Sequence, residues 1–104
     1  MLKKIDVAVT SDDIRNGRRH DCMLCPIALA ISRTLLCGPT GCGVSNRAVS
    51  VFIDQADSQL PVGDHFALLP DEAALFTRNF DRGRDVSPFK FTLHFEHVKE
   101  EKEI

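Results

Sequence analysis

The sequence predicts one α+β domain, a two-layer sandwich of two main helices on a mostly antiparallel sheet. The chain has 104 residues, 43% of them hydrophobic and 27% charged, which suits one hydrophobic core and not two. Four short segments alternate apolar and polar residues, as half-buried strands do, and two longer segments repeat apolar residues at helical spacing. The resulting order is β-α-β-β-α-β, for which a ferredoxin-like topology is one candidate.

The first half of the chain contains a strand, a helical turn and the clearest helix. The strand covers residues 5–9, and residues 10–17 form a short helical turn that Gly17 ends in a left-handed conformation. The helix covers residues 26–36, because Pro26 suits a first helical position and isoleucine or leucine recurs every four residues. Few of its residues are polar, so we expect it to be buried against the sheet.

The second half begins with a glycine-rich segment, residues 38–46, which is predicted to form a loop. A helix starts at Pro70, where acidic residues occupy the first turn, and ends at Gly83. The three remaining strands are predicted over residues 48–53, 65–69 and 89–96, the first two as a hairpin. Residues 1–98 thus form the domain, and residues 99–104 form a charged tail in solvent.

Composition argues against several classes of protein. The longest apolar run is far shorter than the roughly 20 residues of a membrane helix. Lys3 and Lys4 are followed at once by Asp6 and a strand pattern, so no signal peptide is visible and a cytoplasmic location is expected. The net charge of −2 and the absence of Trp and Tyr make nucleic acid and membranes improbable partners.

Four cysteines, at positions 22, 25, 37 and 42, suggest a four-thiolate zinc site, but the predicted helix argues against one. Cys25 and Cys37 lie at its opposite ends, so the helical rise separates their Cα atoms by about 18 Å. Sulfur ligands lie about 2.3 Å from zinc, so a straight helix cannot bring both thiols to one ion. A smaller zinc site would use His20, Cys22 and Cys25 with a distant fourth ligand. The candidates for that ligand are His65, His94 and His97.

The same segment allows two further interpretations. Cys22-x-x-Cys25 lies at a helix N-terminus, where the helix dipole lowers a thiol pKa, as in thiol-disulfide oxidoreductases. The simplest interpretation is packing, because free cysteine is among the most buried residue types. In that case Cys25 faces the sheet, Cys37 covers the end of the helix, and Cys22 and Cys42 are partly exposed thiols.

A cluster of basic residues precedes the cysteines. Arg15, Arg18 and Arg19 can contact phosphate or an acidic partner, and they are the candidate binding residues. The alternative is a solvated loop whose charge is balanced by neighbouring aspartates. The alternative is favoured, because no aromatic residues are interleaved with the arginines.

Five short motifs, spread over most of the chain, together look like one pattern. They are Val9-Thr10-x-x-Asp13-Ile14-x-x-Gly17, Cys25-Pro26-Ile27-Ala28-Leu29-Ala30, Leu69-Pro70-x-Glu72-Ala73, Phe80-Asp81-x-Gly83 and Val86-x-Pro88-Phe89-x-Phe91. In these motifs the chain resembles a group of small phage, prophage and bacterial proteins without an assigned activity. The resemblance implies a cytoplasmic, phage-associated setting, and it brings no catalytic residues with it.

Together these observations favour a small non-enzymatic binding or adaptor protein that acts through protein–protein contact. An open edge strand would let a second copy pair with the sheet, so a homodimer is a further expectation. The alternatives are a zinc-binding domain built on His20, Cys22 and Cys25, and a thiol-disulfide oxidoreductase that uses Cys22 and Cys25.

Overall fold

The computed structural model describes residues 2–37, 41–45 and 47–96, and within these it leaves the side chains of Leu2 and Glu96 aside. The predicted tail, residues 99–104, lies outside this part of the chain. The described residues form eight elements in chain order. They are β1 (Leu2–Val9), α1 (Ser11–Asn16), α2 (Pro26–Leu35), β2 (Cys42–Val44), β3 (Ala48–Ile53), β4 (Gly63–Leu68), α3 (Asp71–Asp81) and β5 (Phe89–Glu96).

The strands form two antiparallel sheets. One contains β1 and β5, and the other has the order β2-β3-β4, so the predicted hairpin of β3 and β4 is confirmed. β4 lies beside β5, where the ring of His65 meets the ring of Phe95 edge-on at 6.4 Å. The α+β class and the antiparallel pairing are confirmed. The hydrogen-bonded strand pairs among the described residues, however, form two sheets and not the single sheet of a ferredoxin-like topology.

β2 was not expected, since its three residues lie in the segment predicted as a loop. Cys42 and Val44 are buried on either side of Gly43, and they pair with Val51 and Val49 of β3. A strand this short contains one alternation of apolar and non-apolar residues, which is too little for a periodic signal. The loop prediction is therefore wrong at residues 42–44.

The core lies between the inner faces of the sheets and the helices. α2 packs on β1 and β2, and Phe76 of α3 stacks on Phe89 of β5 with 4.9 Å between ring centroids. The inward side chains of the strands are nearly all apolar. They are Ile5, Val7, Val9, Cys42, Val44, Val49, Val51, Ile53, His65, Ala67, Phe91, Leu93 and Phe95. No helix among the described residues is long and apolar enough to cross a membrane.

Gly17 has a different role from the one predicted. Its φ of −71° is an ordinary extended value, so the expected left-handed conformation is wrong. The absence of a side chain matters instead, because a Cβ atom here would lie 2.6 Å from Cδ of Pro26. Gly17 therefore lets the chain after α1 pass against the first residue of α2. The left-handed position near α2 belongs to Leu36, with a φ of 58°.

Candidate functional site

The segment with the predicted ligands, residues 20–25, lies between β2, the start of α2 and the end of α3. It borders a cavity of about 230 Å³ that Asp81 and Arg78 of α3 also line. Backbone hydrogen bonds hold it in place. His20 N–H donates to Asp81 Oδ1 at 3.0 Å, and the carbonyl of Cys22 accepts from Val44 N–H at 2.8 Å. The segment is thus held against two other elements of the fold.

The two thiols of this segment have different surroundings. Cys22 is exposed, whereas Cys25 is buried at the N-cap of α2, where its Sγ accepts from Ala28 N–H at 3.4 Å. Burial raises the pKa of the Cys25 thiol more than the N–H groups of Ala28 and Ile27 lower it. The expected depression of a thiol pKa at the helix start therefore does not occur at Cys25.

The described residues do not form a set of metal ligands. No three histidine, cysteine, aspartate or glutamate side chains in this part of the chain lie close enough to hold one ion. Of the proposed distant ligands, His65 is buried with its Nε2 2.7 Å from the carbonyl of Pro61. His94 is exposed on β5, and His97 lies outside the described residues. The zinc hypothesis therefore stays a prediction that no observed geometry supports.

The remaining cysteines also behave as packed side chains. Cys42 is buried, not partly exposed as the sequence suggested, and Cys37 is half-buried. Burial, with a smaller effect of the nearby thiols of Cys37 and Cys25, raises the pKa of Cys42 to about 12. At neutral pH this thiol is protonated, which suits a small apolar core residue and not a nucleophile.

Two of the three candidate arginines are engaged within the chain. Arg15 forms an exposed ion pair with Asp12 at 2.8 Å. Arg19 donates from Nε to the carbonyl of Phe80 at 3.2 Å, near the end of α3. A cation there compensates the partial negative charge of the helix C-terminus. Arg18 is exposed, and its backbone N–H donates to the carbonyl of Leu24 at 2.8 Å. Contacts within the chain therefore explain the positions of the Arg15 and Arg19 side chains, two of the three candidate binding residues.

A different surface stands out on the side of the sheet away from the helices. Phe52 of β3 and Phe66 and Leu68 of β4 point outward there and are 49%, 66% and 81% exposed. We call the outward side chains Ser50, Phe52, Asp64, Phe66 and Leu68 the open sheet face. The register places Ser50 opposite Phe66, so Phe66 lies at the centre of this group.

The open sheet face continues into a groove. Leu68 and Pro70 form one wall of a cavity of about 910 Å³, and the outward residues of β1 and β5 form another part of its lining. Those residues are mostly polar. Thr92 donates from Oγ1 to Asp6 Oδ1 at 2.8 Å, and Lys90 and His94 lie on the same strand as Thr92. An apolar patch is thus bordered by a polar groove that carries both signs of charge.

The sequence contained one sign of this surface. Between His65 and Leu69 every residue except His65 is apolar, so β4 has apolar side chains on both faces. A strand with one face in water normally alternates. The lack of alternation indicated that both faces of β4 are in contact with something, but not which side chains point outward.

No family model, curated protein or solved structure matches this chain. The resemblance to small phage and prophage proteins therefore stays a prediction.

Proposed function

We propose that this protein is a non-enzymatic binding module that holds another protein against the open sheet face. The observation that carries the proposal is the exposure of Phe66 and Leu68, at 66% and 81%, in a sheet whose opposite face is buried in the core. Large apolar side chains gathered at the centre of a surface and bordered by polar groups are typical of protein interaction sites.

The energetics favour burial of this surface. Burying a large apolar side chain is worth about 1.5–3 kcal/mol relative to leaving it in water. Phe66 and Leu68 gain little of this in the isolated chain, because most of their surface is in contact with solvent. A partner that covers both would gain several kcal/mol, enough to offset part of the cost of association.

The polar groove supplies the second part of an interface. Lys90 and His94 offer hydrogen-bond donors, and the carboxylate of Glu72 offers an acceptor. Such groups at the rim contribute orientation and specificity more than affinity. The resemblance predicts a phage-associated, cytoplasmic setting. As part of the same proposal, we expect the partner to be a phage protein or a host protein.

Site-specific photo-crosslinking tests the proposal. A photoreactive phenylalanine analogue replaces Phe66 in the full chain, which is expressed in the organism that naturally carries the gene. The control carries the analogue at Leu75, which is 51% exposed on α3 and is not one of the residues of the open sheet face. We expect a discrete protein adduct from position 66 and none from position 75. The adduct should disappear when Leu68→Lys is added. Equal labelling from both positions, or no adduct from position 66, would contradict the proposal.

A further inference from the structure

We infer that the protein bound on the open sheet face is a second copy of this chain, packed sheet to sheet about a two-fold axis beside Phe66. The inference rests on the proposed function and names its partner. It differs from the edge pairing expected from the sequence, because the contact is made by side chains on a face and not by backbone groups along a strand.

The area of the patch suits such a dimer. A fully exposed large apolar side chain has an accessible surface of roughly 200 Å². At their exposed fractions, Phe52, Phe66 and Leu68 together therefore expose about 400 Å² of apolar surface. A symmetric interface uses the patch twice and so buries about 800 Å² of apolar surface. Standard interfaces bury about 1,200–2,000 Å² in total, of which 56–65% is apolar, or roughly 700–1,300 Å². The patch alone therefore supplies the apolar share of a dimer interface at the lower end of this range.

The charges on the outward faces are compatible with self-association. Lys4 and Lys90 point outward from β1 and β5, and Asp6 and Asp64 point outward from β1 and β4. These four charges balance, and the carboxylate of Glu72 at the rim of the groove leaves a surplus of one negative charge, so two copies meet with little net repulsion. A strongly acidic or strongly basic partner would find no complementary field on this surface.

The strand edges are less suitable than the face. β2 has only three residues, too few for a stable added strand. On β1, Arg33 donates from Nη2 to the carbonyl of Ala8 at 2.9 Å, which occupies one of the backbone acceptors of that strand. Two sheets packed face to face, in contrast, interdigitate their side chains about 10 Å apart, as in a β-sandwich. The helices of both copies then lie on the outside.

The mass of the full chain in solution tests the inference. Sedimentation equilibrium over roughly 1–100 μM, a range that brackets a micromolar dissociation constant, should give an average mass for the wild type that rises with concentration toward twice the mass of one chain. Phe66→Asp should give the mass of one chain, with dimerisation weakened about a hundredfold or more, because both copies lose a central anchor. The control Leu75→Asp, an equally drastic change at an exposed position of α3, should stay dimeric.

A mixing experiment separates loss of the interface from loss of the fold. Phe66→Asp and Phe66→Lys should each be monomeric, and an equimolar mixture should recover the dimeric mass, since a two-fold axis beside Phe66 brings the opposite charges together. Misfolded chains would not recover in this way. A wild-type chain that stays monomeric up to 100 μM, a dimeric Phe66→Asp variant, or a mixture that stays monomeric would each overturn the inference.

The outcomes distinguish this inference from the proposed function. If the wild type is monomeric and position 66 still crosslinks to a protein of another mass, the second copy is wrong and the binding face stands. If position 66 gives no adduct and the wild type is monomeric, both are wrong. An adduct with twice the mass of the chain supports both.

Discussion

Arg33 on α2 donates two hydrogen bonds to the carboxylate of Asp13 on α1, at 2.6 and 3.0 Å. Asp13 is only 4% exposed, and its second oxygen also accepts from Thr10 N–H at 2.8 Å. Arg33 in turn donates to the carbonyl of Ala8 on β1. One ion pair between residues 20 positions apart therefore connects β1, α1 and α2.

We expect Asp13→Asn to lower the free energy of unfolding by about 2–3 kcal/mol. Breaking a buried ion pair costs about 3–5 kcal/mol, and the value here should be smaller because the Arg33 side chain is half exposed. Urea denaturation followed by circular dichroism measures the change. The control is Asp12→Asn, which breaks only the exposed pair with Arg15 and should cost less than about 1 kcal/mol. Equal losses in the two variants would show that burial of Asp13 contributes nothing.

The same pair predicts how stability depends on pH. Burial by itself raises the pKa of Asp13, but hydrogen bonds from Arg33 and Thr10 outweigh burial and hold the pKa below the ordinary value of 3.8. Because the folded pKa is below the unfolded one, the pair stabilises the fold above about pH 4 and loses this effect as the pH falls further. Urea midpoints at pH 7, 5, 4 and 3 should converge between wild type and Asp13→Asn at the acidic end. A constant difference across this range would contradict the prediction.

A close backbone approach predicts that Gly17 cannot carry a side chain. We expect Gly17→Ala to destabilise the fold by about 1–3 kcal/mol, because the new methyl group would meet the Pro26 ring at 2.6 Å and force a shift at the start of α2. The matched control is Gly43→Ala, since nothing lies within 4 Å of a Cβ atom at Gly43. Thermal unfolding of both variants compares them. A neutral Gly17→Ala would mean that the segment between α1 and α2 adjusts freely.

The burial of the thiols predicts a steep order of reactivity. At pH 8, a pKa of about 12 leaves Cys42 with roughly a thousandfold less thiolate than a thiol with the ordinary pKa of 9.0. Burial also raises the pKa of Cys25, whereas Cys22 is exposed. Iodoacetamide labelling followed by peptide mass spectrometry should modify Cys22 first and Cys42 last. Rapid labelling of Cys25 together with Cys22 would contradict the order and would favour a thiol-disulfide oxidoreductase.

Local patterns were sufficient for most elements of the fold. The alternation of β5 and the four-residue repeat of α2 were predicted with nearly the observed bounds, because each pattern follows from burial of one face of a single element. The hairpin of β3 and β4 was also predicted, since it joins neighbouring segments. β2 was missed, because its three residues form a strand only by pairing with β3.

The candidate site was predicted less well, for a related reason. The spacing of His20, Cys22 and Cys25 satisfied a motif, but among the described residues no metal-binding cluster includes them. Whether ligands converge depends on side-chain directions and on distant residues, and spacing along the chain reports neither. The open sheet face was missed because the lack of alternation in β4 does not show which of its side chains point outward.

By itself, the sequence determined the class of the fold, since the periods of its apolar residues specify the longer helices and strands and the order of these elements. The tertiary structure decided which side of β4 meets water. β4 is apolar on both faces, and pairing with β3 places His65 opposite the buried Val51 and Phe66 opposite the exposed Ser50. A shift of one residue would exchange the two faces. The tertiary structure also decided that Asp13 is buried, because a carboxylate tolerates burial only where a partner meets it, and Arg33 lies on another helix.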